Sequence, residues 1–331
     1  MLVFEDGASF GVISGGCLEE DVSKRAAEVI RTGKPILVAY DTKVHLGCNG
    51  IVEIFIEAII PECAESFFLH AEDCVLRRRQ SIAALTFFES RGRIPHRLAS
   101  YPLLSEDDRL LTSEPLSAQM LHDARGVFNS ARPLLREYQC ENGAATALLH
   151  VIHPPIHLWI FGAGPDVAPL ASFAAQLGWR VTAVNHPAQT PAILPPGCAS
   201  RALAPEQITE LQADARTAAI VMTHHYGRDL AYLANLFPST LPYLGLLGPR
   251  HRREQLLASL MDAGVTLSEE QLEAFHSPAG LDLGAEGPEE IALSIIGEIK
   301  AVMSGRAGGS LKSRKTAIHS SDAPKIVPRA A

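Results

Sequence analysis

Two cysteines lie on glycine-rich turns in the first fifty residues of this 331-residue chain. The turns are Ser14-Gly15-Gly16-Cys17-Leu18-Glu19 and Leu46-Gly47-Cys48-Asn49-Gly50. Glycine beside cysteine strips away side-chain bulk, lets the backbone bend sharply and leaves the sulfur approachable. Asn49-Gly50 is a strong turn dipeptide, so Cys48 is expected at a loop tip between two strands. There backbone N–H groups can lower its pKa and make it a soft ligand or sulfur acceptor. Cys17 precedes a helix start, where the helix dipole also favours thiolate; an ordinary buried thiol fits its sequence setting equally well. Cys63, Cys74, Cys140 and Cys198 have no comparable setting. No two of the six cysteines form a CxxC pair, so they are expected to be reduced thiols of a cytoplasmic protein.

A third chemical turn lies further on. His157-Leu-Trp-Ile-Phe161 has the composition of a buried strand and runs into Gly162-Ala163-Gly164 and a helix. This is the context of a Rossmann phosphate turn. Two positions depart from the dinucleotide fingerprint. Val167 stands where a third small residue is expected, and Asn185 ends the next strand where an acid would hold a ribose hydroxyl. A fold that keeps the turn and has lost dinucleotide binding fits the sequence as well. Thr223-His224-His225 follows another strand, so His224 is a candidate ligand contact, with Asp229 as its nearby acid; a capping or loop role for His224 and a first-turn helix charge for Asp229 fit the sequence as well. Gly245-Leu-Leu-Gly248-Pro249-Arg250 is a further strand-to-helix turn, where backbone N–H groups and Arg250 could hold a phosphate. In the loop from Ser277 to Glu290, Asp282 and Glu286 are expected to close the pocket or to bind Arg250.

These turns need a scaffold. The spacing predicts a helix over 19–31 and strands over 35–40 and 51–57. A weak repeat aligns Arg31–Tyr40 with Asn129–Tyr138, 98 residues later. Each copy has an amphipathic helix before it and a strand after it, the second copy's near 117–128 and 145–152. Residues 1–153 are therefore expected to hold two related helix–strand–strand units packed as one α/β domain. His153-Pro154-Pro155 marks the boundary. Beyond it, strands near 156–161, 180–184, 218–223 and 243–247 alternate with helices near 166–177, 205–213, 228–236, 250–263, 269–274 and 288–303. That alternation predicts a Rossmann-like, doubly wound parallel sheet over 156–305. Residues 306–331 are Gly-, Ser- and Lys-rich without periodicity and are expected to be disordered.

Composition narrows the function. The formal charge is −8, and the last 28 residues carry six Lys/Arg against one Asp, which leaves −13 on the rest. Such a body is expected to repel nucleic acid. The uncharged stretch 230–249 is split by Pro238 and Pro242 into pieces too short to span a membrane.

Together these residues resemble the XdhC/CoxI family of accessory proteins for molybdenum hydroxylases. The ordered matches begin with Ser14-Gly-Gly-Cys-Leu-Glu19, the Gly47-Cys-Asn-Gly50 turn and Ile160-Phe-Gly-Ala-Gly-Pro-Asp166. Met222-Thr-His224, Tyr243-Leu-Gly-Leu-Leu-Gly248 with Arg250 and Arg253, and Gly280-Leu-Asp-Leu-Gly-Ala-Glu286 continue them. The resemblance covers 9–57 and 156–305. It implies a chaperone that binds molybdenum cofactor and delivers its sulfurated form to a xanthine-dehydrogenase-type enzyme, with cysteine desulfurase as a further partner and a homodimer as one way to shield the cargo. It also implies a strand ahead of Met1, so either the start is misassigned or the first domain has lost a core strand. On that reading the cofactor's metal end faces Cys48, with Cys17 nearby. Gly15, Gly16, Gly47, Asn49, Gly162, Gly164, Asn185, His224, Gly248 and Arg250 line its site, and its phosphate rests at the Gly162–Gly164 or the Gly248–Arg250 turn. The competing readings are an NAD(P)-dependent oxidoreductase, with His224 as acid or base, and a degenerate scaffold with an empty site.

Overall fold

The computed structural model describes residues 1–41, 51–59, 67–93, 101–112, 115–130 and 132–315. The chain divides into two compact units, one over Met1–Pro154 and a second beginning at Pro155.

The second unit is built on six parallel strands: β9 (His157–Phe161), β10 (Arg180–Asn185), β11 (Ala199–Ala202), β12 (Thr217–Val221), β13 (Tyr243–Leu246) and β14 (Phe275–His276). Their order is β11-β10-β9-β12-β13-β14. Every residue of β9, β12 and β13 is buried, as expected of strands covered on both faces. Alternate side chains serve two cores. Leu158 and Ile160 pack with helix Val167–Gln176 and helix Pro288–Met303. Trp159 and Phe161 pack with helix Tyr226–Leu236 and helix Arg250–Asp262. Burying a side chain of this size contributes about 1.5–3 kcal/mol, so the central strand anchors the unit. The chain leaves β9 toward β10 and β11, then returns to the other side of β9 as β12. That reversal is a topological switch point, and it opens a crevice at the strand C-termini.

The segment 205–213, expected as a helix, forms a 3-10 helix over Pro205–Glu210 instead. It buries only Pro205 and Ile208, a three-residue spacing that suits the tighter helix. Edge strand β11 and the two-residue β14 were not expected. Strand β11 is exposed throughout, so no burial pattern marks it. Leu311–Ser313 form a 3-10 turn within the segment expected to be disordered. No helix among the described residues is long and apolar enough to cross a membrane.

The first unit contains a small antiparallel hairpin, β1 (Leu2–Val3) with β2 (Ser9–Phe10). Helix Glu19–Thr32 follows, then the ladder of β3 (Ile36–Asp41) and β4 (Ile51–Ile56). A four-stranded antiparallel sheet has the order β6-β5-β8-β7, with β5 Ile82–Arg93, β6 Leu103–Ser105, β7 Leu134–Cys140 and β8 Asn142–Ile152. Helix Ala118–Ser130 packs on it through Met120, Ala124 and Val127. The 98-residue spacing reappears in three dimensions: one helix ends at Thr32 with a strand from Ile36, the other at Ser130 with a strand from Leu134. In each copy a strand tyrosine donates to a helix aspartate, Tyr40 to Asp21 (2.6 Å) and Tyr138 to Asp123 (2.9 Å). The two copies belong to different sheets, because β8 pairs on one side with β7 and on the other with the long β5.

Candidate ligand crevice

The crevice begins where β9 ends. Gly162 N–H donates to the Val184 carbonyl, and a Cβ at Gly162 would stand 2.7 Å from the Met222 carbonyl oxygen. Glycine here lets the first turn and the end of β12 close on each other. At Gly164 a Cβ would meet Asp166 Oδ1 at 2.5 Å and His224 Cδ2 at 3.4 Å. The space directly beside Gly164 is therefore occupied by the chain's own carboxylate.

Asp166 stands at the N-terminus of helix Val167–Gln176 but makes no side-chain capping bond. It folds back over Gly164. Its Oδ2 lies 2.7 Å from His224 Nε2, and its Oδ1 is buried without a hydrogen-bond partner. His224 adopts φ +56, a left-handed conformation uncommon outside glycine. Its side chain is 58% exposed against 13% for Asp166, so the imidazole forms the open lip of the pair.

The acid expected beside His224 was Asp229, and the structure corrects this. Helix Tyr226–Leu236 turns Asp229 inward, where it is 1% exposed. It accepts from the Thr223 hydroxyl (2.5 Å), from Thr223 N–H (3.2 Å) and from Arg252 Nη2 (2.6 Å). His225 caps the same helix by accepting from Arg228 N–H. Arg252 in turn lies against Gly248, where a Cβ would meet its Cδ at 2.8 Å. One partly buried ion pair thus ties the end of β12 to the turn after β13.

Arg250, at the start of that helix, is open to solvent and pairs with Glu254 one turn on. Among the described residues no ion pair joins it to Asp282 or Glu286. Asn185 is 4% exposed, and its amide donates to the carbonyls of His186 and Gln189, closing its own turn. The loop after β14 returns to this edge through Ala279 N–H, which donates to the Leu246 carbonyl. Glu298 holds the loop by accepting from Gly280 N–H (2.8 Å) and from the Tyr243 hydroxyl (2.7 Å). A separate apolar cavity of about 650 Å³, lined by Leu236, Phe237, Leu241 and Pro242, lies at the opposite, N-terminal ends of β12 and β13.

The Cys17 turn belongs to the first unit. Cys17 is exposed and free. Glu19, which suits a helix first turn by charge, does more than that. Its carboxylate accepts from the N–H groups of Ile13, Ser14, Gly16 and Leu18 and from the Ser14 hydroxyl. Those bonds, led by the Ser14 and Ile13 N–H groups, hold its carboxyl far below the usual carboxylate range. The Gly15-Gly16 turn, at φ +74 and +114, wraps round this carboxylate, so Glu19 shapes the cysteine turn. Glu19→Ala is expected to raise the rate of Cys17 alkylation by iodoacetamide severalfold while leaving the tryptophan emission unchanged. Both tryptophans, Trp159 and Trp179, lie in the other unit. A folded-state pKa this low keeps the turn intact on acidification through the ordinary carboxylate range near pH 4–5, and the turn loosens only as pH falls further. Cys48, Gly47 and Asn49 lie outside the described residues. Among the described residues no three His, Cys, Asp or Glu side chains are grouped to hold a metal ion.

A parallel sheet with a glycine turn at its switch point defines a Rossmann-type ligand domain, and the sequence comparisons say which kind. Residues 158–299 match the XdhC Rossmann domain and residues 1–41 match the XdhC and CoxI family. A Bacillus subtilis protein described as a probable xanthine dehydrogenase subunit is 31% identical over 310 residues, covering 90% of this chain and 86% of the relative. The chain belongs to the XdhC and CoxI family. The molybdenum cofactor insertion chaperone PaoD of Escherichia coli is 23% identical, covering 91% of this chain and 77% of that one. A crystal structure described as a xanthine dehydrogenase from Bacillus halodurans has the same fold. It has a TM-score of 0.70 at 24% identity and covers 95% of this chain and 87% of that one.

Proposed function

We propose that this protein is a carrier for molybdenum cofactor that protects the cofactor and hands it to a xanthine-dehydrogenase-type molybdoenzyme. The observation that carries the reading is the crevice at the β9–β12 switch point, a ligand site whose details disfavour a dinucleotide. Asp166 lies against Gly164 in the first turn, and Asn185 is spent on its own loop. The name of the PaoD relative supports the choice of cargo.

Several finer assignments belong to the same proposal. Cys48, with Cys17 as its companion, is the thiol offered to the metal end of the cargo. That role rests on the glycine turns and on the softness of thiolate. A cysteine desulfurase is the sulfur source that matches a sulfurated cargo. A homodimer would shield the cargo from water. The 1–153 and 156–305 segments are its two domains, acting in the cytoplasm.

The test is pterin retention. The purified chain, loaded with molybdenum cofactor and passed through gel filtration, is expected to keep about one pterin per chain. Cys48→Ala is expected to lose most of it without loss of folded protein. Full retention by Cys48→Ala would remove the thiol from the proposal. Tight NADPH binding with no pterin retained would replace the carrier by an oxidoreductase, and binding of neither would favour a scaffold.

A further inference from the structure

The crevice specifies which end of a pterin ligand it takes. A Rossmann turn ordinarily offers bare backbone N–H groups to a phosphate. Here the Asp166 carboxylate lies against Gly164 of that turn, with Oδ1 buried and unpartnered and Oδ2 held by His224 at 2.7 Å. An anion brought to this turn would meet a fixed negative charge beside a backbone that glycine has left bare. A ligand edge rich in N–H donors would instead satisfy a carboxylate whose second oxygen lacks any bond, and a buried acceptor without a partner is costly.

The imidazole is the movable part. It is exposed, its backbone sits in the left-handed region, and it supplies a single N–H that a ligand could replace. The other turn of the crevice has the opposite character. The helix beginning at Arg250 has no acid in its first turn, no side-chain cap, and Arg250 and His251 open to solvent.

We propose that Asp166 is the specificity-determining acceptor of this site, binding the amino-pyrimidine edge of a pterin through paired N–H bonds after displacing His224. The phosphate of the same ligand is thereby turned away from the Gly162–Gly164 turn. A pterin offers this edge as an amino group next to a ring N–H, a spacing that a carboxylate accepts in parallel. The proposal deepens the carrier reading and rests on it.

Two phosphate-free probes test it without any molybdoenzyme. Pterin and lumazine differ in one substituent, an amino group in pterin and an oxo group in lumazine, on the carbon between the two pyrimidine nitrogens. Fluorescence titration of the full chain is expected to favour pterin over lumazine by about tenfold or more, because a site built for an N–H rejects the analogue that lacks it. Asp166→Asn is expected to abolish that ratio. His224→Asn keeps a residue that tolerates the left-handed backbone and removes the competing imidazole, so it is expected to hold or raise pterin affinity.

Equal binding of the two probes, binding of neither, or a preference that survives Asp166→Asn would overturn the proposal. So would a parallel loss in His224→Asn, which would mark the pair as structural support alone. Cofactor retained on gel filtration without a pterin-over-lumazine ratio would sink this inference and leave the carrier reading standing. A ratio without retention would do the reverse.

Discussion

Asp229→Ala is expected to destabilise the sheet unit by about 3–5 kcal/mol, the usual cost of removing one partner of a buried ion pair. Asp229 is 1% exposed and Arg252 has 23% of its side chain exposed, so water compensates the loss only from the arginine side. The Thr223 N–H would lose its acceptor in the same step, and the Thr223 hydroxyl would keep only the His225 carbonyl, at 3.2 Å. The cation–π contact of Arg252 with Tyr226, at 5.8 Å, would not hold the guanidinium in place alone. Urea titration followed by tryptophan emission isolates this unit, since both tryptophans lie in it. A loss below about 1 kcal/mol, the range of a surface ion pair, would show that the pair is solvated and does not brace the crevice.

Glu298→Ala is expected to cost about 2–5 kcal/mol, because two donors are left inside without an acceptor. One is the hydroxyl of Tyr243, which is fully buried, and the other is Gly280 N–H. His276, stacked on Tyr243 with ring centroids 4.5 Å apart and 3.4 Å from Glu298, would lose its carboxylate neighbour too. The pH dependence has a definite sign. Burial pushes the Glu298 carboxyl up, but the bonds from His276, Gly280 and Tyr243 together outweigh it and hold the value below the ordinary one. A depressed carboxylate contributes its stability above its unfolded value, about 4.3, and loses it as pH falls through the folded value. The difference between wild type and Glu298→Ala is therefore expected to be complete at neutral pH and to shrink below about pH 4. The same denaturation series run from pH 7 to pH 3 measures it. An unchanged difference across that range would mean that the carboxylate is not the acceptor.

The parallel sheet was legible because its strands are short apolar runs punctuated by glycine turns. The helix over Pro288–Met303 was legible to the residue from its proline start and paired acids. Strand β5 was missed although it is the longest. Its Ala83-Ala84 pair has low strand propensity, and no turn dipeptide introduces it. In the crevice, the sequence placed Gly162, Gly164 and His224 at strand ends, and the fold brings these turns together. Asp166 was not, because an aspartate at a helix start reads as a cap, and only the fold shows that it makes no capping bond. Asp229 was misassigned for a related reason. Closeness in sequence suggested a bond to His224, whereas the helix turns the side chain to the opposite, buried side.

The strand order also sets when the crevice can exist. Strand β10 follows β9 after one helix, but β12 joins the far side of β9 only after β10, β11 and a 3-10 helix have been laid down. Asp166 and His224, separated by 58 positions in the chain, meet only when that late pairing is made. Contacts of such long separation are slow to form, since the loop between them must close first. A growing chain that has only its first half-sheet therefore has the glycine turn but not the His224 lip. The crevice is a property of the finished domain, and a half-made copy does not possess it.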